Sequence, residues 1–381
     1  MDSQRREQSR SARWKIAGAI ILAALIVLAT VVLTSFLTGS DEDPAASPHA
    51  EPVAEEGASM LIGITADDGT AASIAVVSAA AQATPRLALL PPSILATLPG
   101  YGENTLANTT RFAGGELLDV TLANLLGIRV DATLTVDAAE LANALAQDLT
   151  VELREPLLEV DGDARIVAMA AGTATRTPQE AVRLVVDRGG DDELTWLQRQ
   201  GAVWEAVLAA GAEDSELLER LVDLTTGDIE AARSALNAAA ADAVVTVVPA
   251  TRIEPTGGEE RYQLSGEVAT EFVAQSMPYL ALAQEPRVRI EVLNGNGQIG
   301  STRPVAGALI RRGFRVILTD NADRLDYDET RIIAHGREHQ AAALVVREIV
   351  ARGEVSVEVR QPSGVVDVTI IVGRDLGSNG G

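Results

Sequence analysis

The sequence predicts an α/β protein: an N-terminal single transmembrane helix, an α/β layered middle domain and a small β-α-β-α-β C-terminal domain. Three observations carry this. An uncharged apolar stretch covers residues 16–37. From Ser59 to about Gln284, short apolar runs alternate with segments whose apolar residues recur every three or four positions. A turn-rich segment, 277–286, then separates a second, shorter pattern of strands and helices.

The N-terminus comes first. Residues 16–37 read IAGAIILAALIVLATVVLTSFL, which as a helix spans roughly 33 Å and crosses a bilayer core. Arg5, Arg6, Arg10, Arg13 and Lys15 precede it, with Trp14 at headgroup level, and Asp41, Glu42 and Asp43 follow. The positive-inside rule places residues 1–15 in the cytoplasm and the chain beyond about residue 38 outside. A cleaved signal peptide would have a shorter apolar region and a small-residue cleavage site. The expectation is an uncleaved anchor in the cell membrane, with the lipid bilayer as partner of residues 16–37. Residues 38–58, with three prolines and six acidic residues, read as a solvated stalk.

The middle domain, 59–286, follows. MLIGI, SIAVVSA and LALL read as strands, and ELLDVTLANLLG and DAAELANALAQ as helices. LTWLQRQGAVWEAVLAAG and SELLERLVDL are two further helices, and AVVTVV reads as a buried strand. In the C-terminal unit, 287–376, RVRIEVL is a strand and STRPVAGALIRRG a helix closed by Gly313. FRVILT, HQAAALVVREIVARG and DVTIIVG complete the β-α-β-α-β order, leaving 377–381 as a tail.

Composition removes several functions. The 381 residues carry a net charge of -23, which repels polyanions and argues against a nucleic-acid partner. Aromatics at 3% argue against a lectin or a base-stacking protein, since both rely on aromatic platforms. The lack of cysteine excludes disulfides, thiolate metal sites and cysteine catalysis. Charge is uneven: residues 38–286 hold 13 basic and 40 acidic side chains, whereas 287–376 hold 13 and 12. Arg303, Arg311, Arg312 and Arg315 lie in or just after the first C-terminal helix and form a candidate contact for an anionic polymer.

Several motifs have two readings. Gly295-Asn296-Gly297-Gln298-Ile299-Gly300 is a G-x-G-x-x-G between strand and helix, with Asp320 twenty residues on. The unit is too small for both halves of a dinucleotide fold, so a tight turn is the preferred reading and no cofactor is expected. His335 and His339 are four apart, but Gly336 stands where a zincin has Glu. Asp191, Asp192 and Glu193 have the chemistry of a hard-cation site. As a run before a helix they equally serve as N-terminal charges favoured by the dipole.

The C-terminal unit resembles the LytR C-terminal domain found in LytR–CpsA–Psr envelope proteins. The resemblance rests on Arg289 to Gly300, with its Leu293-Asn294-Gly295 and following glycines, and on Arg312-Gly313-Phe314. Asn321-Ala322-Asp323, Thr330-Arg331-Ile332 and Val372-Gly373-Arg374-Asp375 extend it. The middle domain more faintly resembles the LytR–CpsA–Psr catalytic domain, through Asn108 followed by Gly114-Gly115, the LLGIRVDATLTVDAAELANAL stretch, Arg188 and Arg199-Gln200. That resemblance implies transfer of a glycopolymer from a polyprenyl-pyrophosphate carrier to peptidoglycan, with arginines on the pyrophosphate and acidic residues on magnesium.

The match departs where that chemistry lies. Pro92 and Ser93 stand where the family has Arg and Asp, and Val186 and Trp196 where it has two further arginines. Thr70–Ser73 lacks the family's Arg and Asp as well. The resulting expectation is a membrane-anchored, extracytoplasmic envelope protein that binds or scaffolds in cell-wall glycopolymer assembly without catalysis. Its expected partners are a wall glycopolymer or an envelope-assembly protein. The alternative is a divergent phosphotransferase using Arg188, Arg199, Asp191 and Asp192, with magnesium. A transcription regulator, the family's historical label, is disfavoured by the topology.

Overall fold

A computed structural model describes residues 57–161, 164–253, 260–283, 287–358 and 365–377. The expected cytoplasmic tail, the transmembrane helix at 16–37 and nearly all of the stalk lie outside the described residues. Among the described residues, no helix is long and apolar enough to cross a membrane.

The middle region opens with β1 (Gly57–Thr65), β2 (Ala71–Ala80) and β3 (Ala83–Leu90), an antiparallel meander of small and β-branched residues. A short pair, β4 (Ile94–Leu98) and β5 (Gly102–Thr105), leads into α1 (Asn108–Leu126). Sequence periodicity predicts α1 only from Glu116. The helix starts earlier because Asn108–Phe112 forms a separate turn, joined to the rest through non-helical angles at Ala113 and Gly114. Gly114 sits at φ 68°, and a Cβ on Gly115 would fall 2.4 Å from Thr135 Oγ1, so both glycines are required.

Next come β6 (Ala132–Asp137), α2 (Ala138–Leu145) and β7 (Leu149–Leu153). Two ribbons follow from β8 (Leu157–Asp161), β9 (Ala164–Met169) and β10 (Gly172–Arg176): β8 pairs with β9, and β10 pairs back onto β7. Then run α3 (Pro178–Val186), α4 (Glu193–Glu213), α5 (Ser215–Val222), β11 (Thr225–Gly227) and α6 (Ile229–Asp242). The region ends with β12 (Val244–Val247), β13 (Thr251–Ile253), β14 (Arg261–Gln263) and α7 (Gly266–Ser276).

The central sheet has the order β11-β6-β1-β2-β3-β12, and β1–β6 and β3–β12 are parallel. Its alternating residues separate two cores. Met60, Ile62 and Ile64 face Leu134, Leu197 and Trp204 on the α2–α6 side. Leu61, Ile74 and Val76 face Leu118, Leu122 and Phe272 on the α1 and α7 side. This is a helix–sheet–helix arrangement, as the alternation of patterns predicts. AVVTVV is a strand but not a buried one: β12 is the sheet's edge, and Val244 is exposed.

The C-terminal unit comprises β15 (Arg289–Asn294), α8 (Thr302–Arg311), β16 (Arg315–Asn321), β17 (Arg331–His335), α9 (Gln340–Val350), β18 (Glu354–Glu358) and β19 (Val368–Val372). The expected β-α-β-α-β pattern therefore gains two strands. They complete a five-stranded sheet, β16-β15-β19-β17-β18, in which β17 runs antiparallel to β19 and parallel to β18. Ile290, Val292, Leu309, Phe314, Val346 and Ile370 pack the core between this sheet and its helices, together with Val120 and Ala123 of α1.

Candidate functional site

The segment between α3 and α4 and the start of α4 carry the residues that the phosphotransferase alternative would use. A capping box of Thr177 and Glu180 starts α3, with Pro178 at its first position. Asp192 starts α4: its Oδ1 accepts the Thr195 N–H at 2.8 Å, and that backbone hydrogen bond holds the Asp192 carboxyl below its ordinary pKa. Of the two readings of the acidic run, the structure realises the cap. Asp191 pairs with Arg199, and Glu193 accepts the Ser93 N–H at 3.0 Å. The three carboxylates thus turn to three different partners. Among the described residues, no three acidic or histidine side chains gather as a metal-binding group.

Arg199 is buried and its donors point inward. Nε donates to Leu184 O at 3.3 Å, and Nη2 to Asp187 O at 2.8 Å and Arg188 O at 3.2 Å, while Nη1 meets the Asp191 carboxylate. A cation set on the last carbonyls of α3 also complements that helix's dipole. Gln200 continues the strut. Its Oε1 accepts from Ser73 Oγ at 2.8 Å, and its Nε2 donates to Ala72 O at 3.0 Å and Val185 O at 3.1 Å. The Arg-Gln pair ties β2, α3 and α4 together.

Arg188 reaches the other side of the same loop. Its Nε donates to Asp191 O at 2.9 Å, and its guanidinium pairs with Glu260 and, at 3.7 Å, with Glu193. Glu260 also faces Arg252 at 3.5 Å and accepts from Tyr262 Oη at 3.2 Å. Burial raises the Glu193 carboxyl pKa, and burial with the Glu260 charge pushes the Tyr262 phenol up to about 12. Arg188 and Arg252 are balanced by Glu193 and Glu260, and Arg199 is balanced by Asp191. The cluster offers no surplus positive charge.

The substituted positions are structural. Pro92 O accepts the Ala107 N–H at 2.8 Å, joining the start of α1 to the segment that carries Ser93. Trp196 is buried, with its Nε1 donating to Val185 O at 2.9 Å, and Val186 closes α3. Beside α4 a cavity of about 290 Å³ is lined by Leu89, Leu153 and Val245 and by both signs of charge, Glu152, Glu155 and Glu205 with Arg154 and Arg199. It lies at the small end of the range for ligand pockets, about 300–1,000 Å³. Sequence reasoning named Arg188 and Arg199 but missed Glu260, Arg252 and Tyr262, which come from a stretch without periodic signal.

The four C-terminal arginines lie along α8 and at the start of β16. Arg303 and Arg311 share a face of α8 that turns toward α1, where Arg303 approaches Glu116 at 3.7 Å. With Pro99, Glu116 and Pro304 they line a cavity of about 280 Å³. Arg315 lines a different cavity with Asn124 and Gln263, near the start of α7. Arg311 and Arg312 are both exposed at the end of α8, and Arg312 lines neither cavity.

The glycine-rich loop is a turn closed on itself. Asn294 Oδ1 accepts from the N–H groups of Asn296 (3.2 Å) and Gly297 (3.0 Å), and Asn296 Oδ1 accepts from Gln298 N–H at 2.9 Å. Those are donors that a phosphate would need. His335 Nε2 lies 2.8 Å from Thr369 Oγ1, whereas His339 faces Asp367 at 3.5 Å, so the two histidines serve separate contacts.

Two parts of the chain are similar to known proteins. Residues 287–376 match the sequence-family model described as LytR cell envelope-related transcriptional attenuator. The middle region shares its fold with Bacillus subtilis TagV, which aligns with a TM-score of 0.50 at 13% identity, over 59% of this chain and 98% of that one. Bacillus subtilis TagT aligns at 0.43 and 17% identity, over 64% of this chain and 95% of that one. TagT with bound octaprenyl pyrophosphate lipid gives 0.43 and 17%, over 64% and 94%. Among curated proteins, none matches the chain.

Proposed function

We propose that this chain is a membrane-anchored, extracytoplasmic component of cell-wall glycopolymer assembly that binds or scaffolds without transferring the polymer. The carrying observation is the self-neutralised cluster around Arg188 and Arg199. Transfer from a pyrophosphate carrier needs guanidinium groups and a cation free to offset charge as a bond breaks. Here Arg199 is spent on Asp191 and three carbonyls, and Arg188 on Glu260 and Glu193. Pro92, Val186 and Trp196 supply no replacement.

The reading requires no cofactor, and the anchor at 16–37 holds the chain at the bilayer with its bulk outside. Its test uses the full chain with a glycan-loaded polyprenyl-pyrophosphate analogue and magnesium, alongside sedimentation with purified wall material. Wall retention without release of the lipid carrier is the expected result. Turnover that is lost in Arg188→Ala would replace this reading with the divergent phosphotransferase.

A further inference from the structure

Tyr101 and Phe112 stack on one another at the surface, with ring centroids 5.0 Å apart and planes inclined by 8°. They are 42% and 39% exposed, whereas all other described aromatic side chains, from Phe314 and Trp204 to Phe272, are buried. A chain with so few aromatics would be expected to bury these two as well, because a buried Phe gains about 1.5–3 kcal/mol over an exposed one. Instead it places both in a single surface patch.

The patch is held from two directions. Tyr101 lies in the β4–β5 turn, between Gly100 at φ 82° and Gly102 at φ 75°, with its N–H donating to Leu98 O at 2.9 Å. Phe112 lies in the first turn of α1, just before the break at Ala113 and Gly114. Asn108, one helical turn back, shares the Phe112 face. Its Nδ2 donates to Asn104 Oδ1 at 2.7 Å and Thr105 Oγ1 at 3.0 Å, so two amides close in sequence to the rings are held in a fixed arrangement. The helix start rests on Pro92, placing the patch next to the segment that carries Ser93.

We infer that the Tyr101–Phe112 pair is a stacking platform for an uncharged pyranose unit of a glycan. The C–H groups on a pyranose face carry partial positive charge and pack on the negative face of a π system. Neighbouring amides supply both donors and acceptors for ring hydroxyls. The net charge of the region, 40 acidic against 13 basic residues over 38–286, opposes a polyanionic chain or an anionic bilayer at a distance. Arg111, next to Phe112, and Arg303, packed against Gly100, stand at the rim as donors that sugar hydroxyls can use. The composition alone argues against aromatic platforms, but two rings suffice for one sugar. This inference rests on the glycopolymer-binding reading and names the part of the polymer that is recognised.

The experiment titrates the full chain with soluble N-acetylglucosamine tetramer, read by saturation-transfer NMR, and sediments the same protein with purified wall material. Both rings are partly exposed, so Tyr101→Ala and Phe112→Ala should lose only their mutual stacking and still melt cooperatively, somewhat below the wild type. Each should weaken tetramer binding at least about tenfold, whereas Tyr101→Phe should stay within about twofold. A wild type that ignores the tetramer, or Ala variants that bind it equally well, would overturn the platform. So would Ala-sensitive binding to phosphatidylglycerol vesicles in place of the sugar. Equal wall retention of wild type and Ala variants sinks the platform and leaves the wall-binding reading standing. Wild type that is not retained by wall material, yet binds the tetramer in an Ala-sensitive way, sinks that reading and leaves the platform standing.

Discussion

The Asn124 side chain closes on both backbone groups of Val316: its Oδ1 accepts the Val316 N–H at 2.9 Å and its Nδ2 donates to the carbonyl at 2.7 Å. An amide from α1 thereby takes the place of a further strand along the outer edge of β16. Thr97 Oγ1 donating to Ile317 O at 3.1 Å and Thr319 Oγ1 donating to Leu98 O at 3.3 Å extend the seam. The C-terminal sheet is docked on the middle region through side chains that mimic strand pairing.

Asn124→Ala should therefore cost about 1–3 kcal/mol, because it leaves a buried N–H and C=O without partners. Urea unfolding of the full chain followed by circular dichroism reads this as a lower midpoint at unchanged slope. The isolated fragment 287–376 should still melt cooperatively, but below the C-terminal unit in the full chain, since it loses Asn124, Val120 and Ala123. An Asn124→Ala midpoint equal to wild type would show that the seam contributes nothing to stability.

Arg199 is expected to behave as a structural residue. Truncation to Ala leaves the Asp191 carboxylate buried without its cation and three carbonyls without a donor. Breaking a buried pair from one side costs about 3–5 kcal/mol. The same denaturation assay reports it, and Arg199→Lys should recover little because a point ammonium cannot fork to the Leu184 and Asp187 carbonyls. A fully stable Arg199→Ala protein would return this guanidinium to the list of groups free for a ligand.

Topology has a direct test, because the chain has no native cysteine. Ser47→Cys should react with a membrane-impermeant thiol reagent on intact cells, and Ser9→Cys should react only after lysis. The opposite labelling would place the acidic domain in the cytoplasm and remove the wall reading with it.

What the sequence discloses depends on how local the cause is. Strands β1 and β2 are legible because the alternation of Met60, Leu61 and Ile62 serves two cores at once. Helix α4 is legible from its repeat, and the turn role of Gly297 from its motif. Strand β18 escapes because the alternation in Glu354–Glu358 is half polar on an edge, and β17 because its short apolar run, Ile332 to Ala334, is bounded by Arg331 and His335. The AVVTVV run shows the converse, since a valine run looks the same at an edge as in a core. The Arg188 cluster stays hidden because Glu260 lies 72 residues away and meets it only through the placement of β14. The missing arginines are legible in the sequence, whereas neutralisation of the remaining ones is not.

The last prediction concerns Asp119, on α1 beneath α8. Burial raises its carboxyl pKa from 3.8 to about 6, with Glu116 and Asp131 adding to the rise and Arg311 opposing it. A raised folded-state value means that the folded protein holds this proton more tightly than the unfolded chain does. Its stabilising contribution is therefore complete below about pH 4 and is lost as pH climbs through about 6. The shift of roughly two units sets an upper bound of about 3 kcal/mol at neutral pH. Asp119→Asn keeps the shape and removes the titration, so it should stabilise the chain by about 1–3 kcal/mol at pH 7.5 and by little at pH 4. Unfolding midpoints for wild type and Asp119→Asn, measured from pH 4 to pH 8, give the difference free of other titrating groups such as Glu193. A gap that stays constant with pH would mean that Arg311 offsets burial and leaves the Asp119 carboxyl at its ordinary value, and a variant less stable at pH 7.5 would mean that Arg311 holds Asp119 as a charged partner.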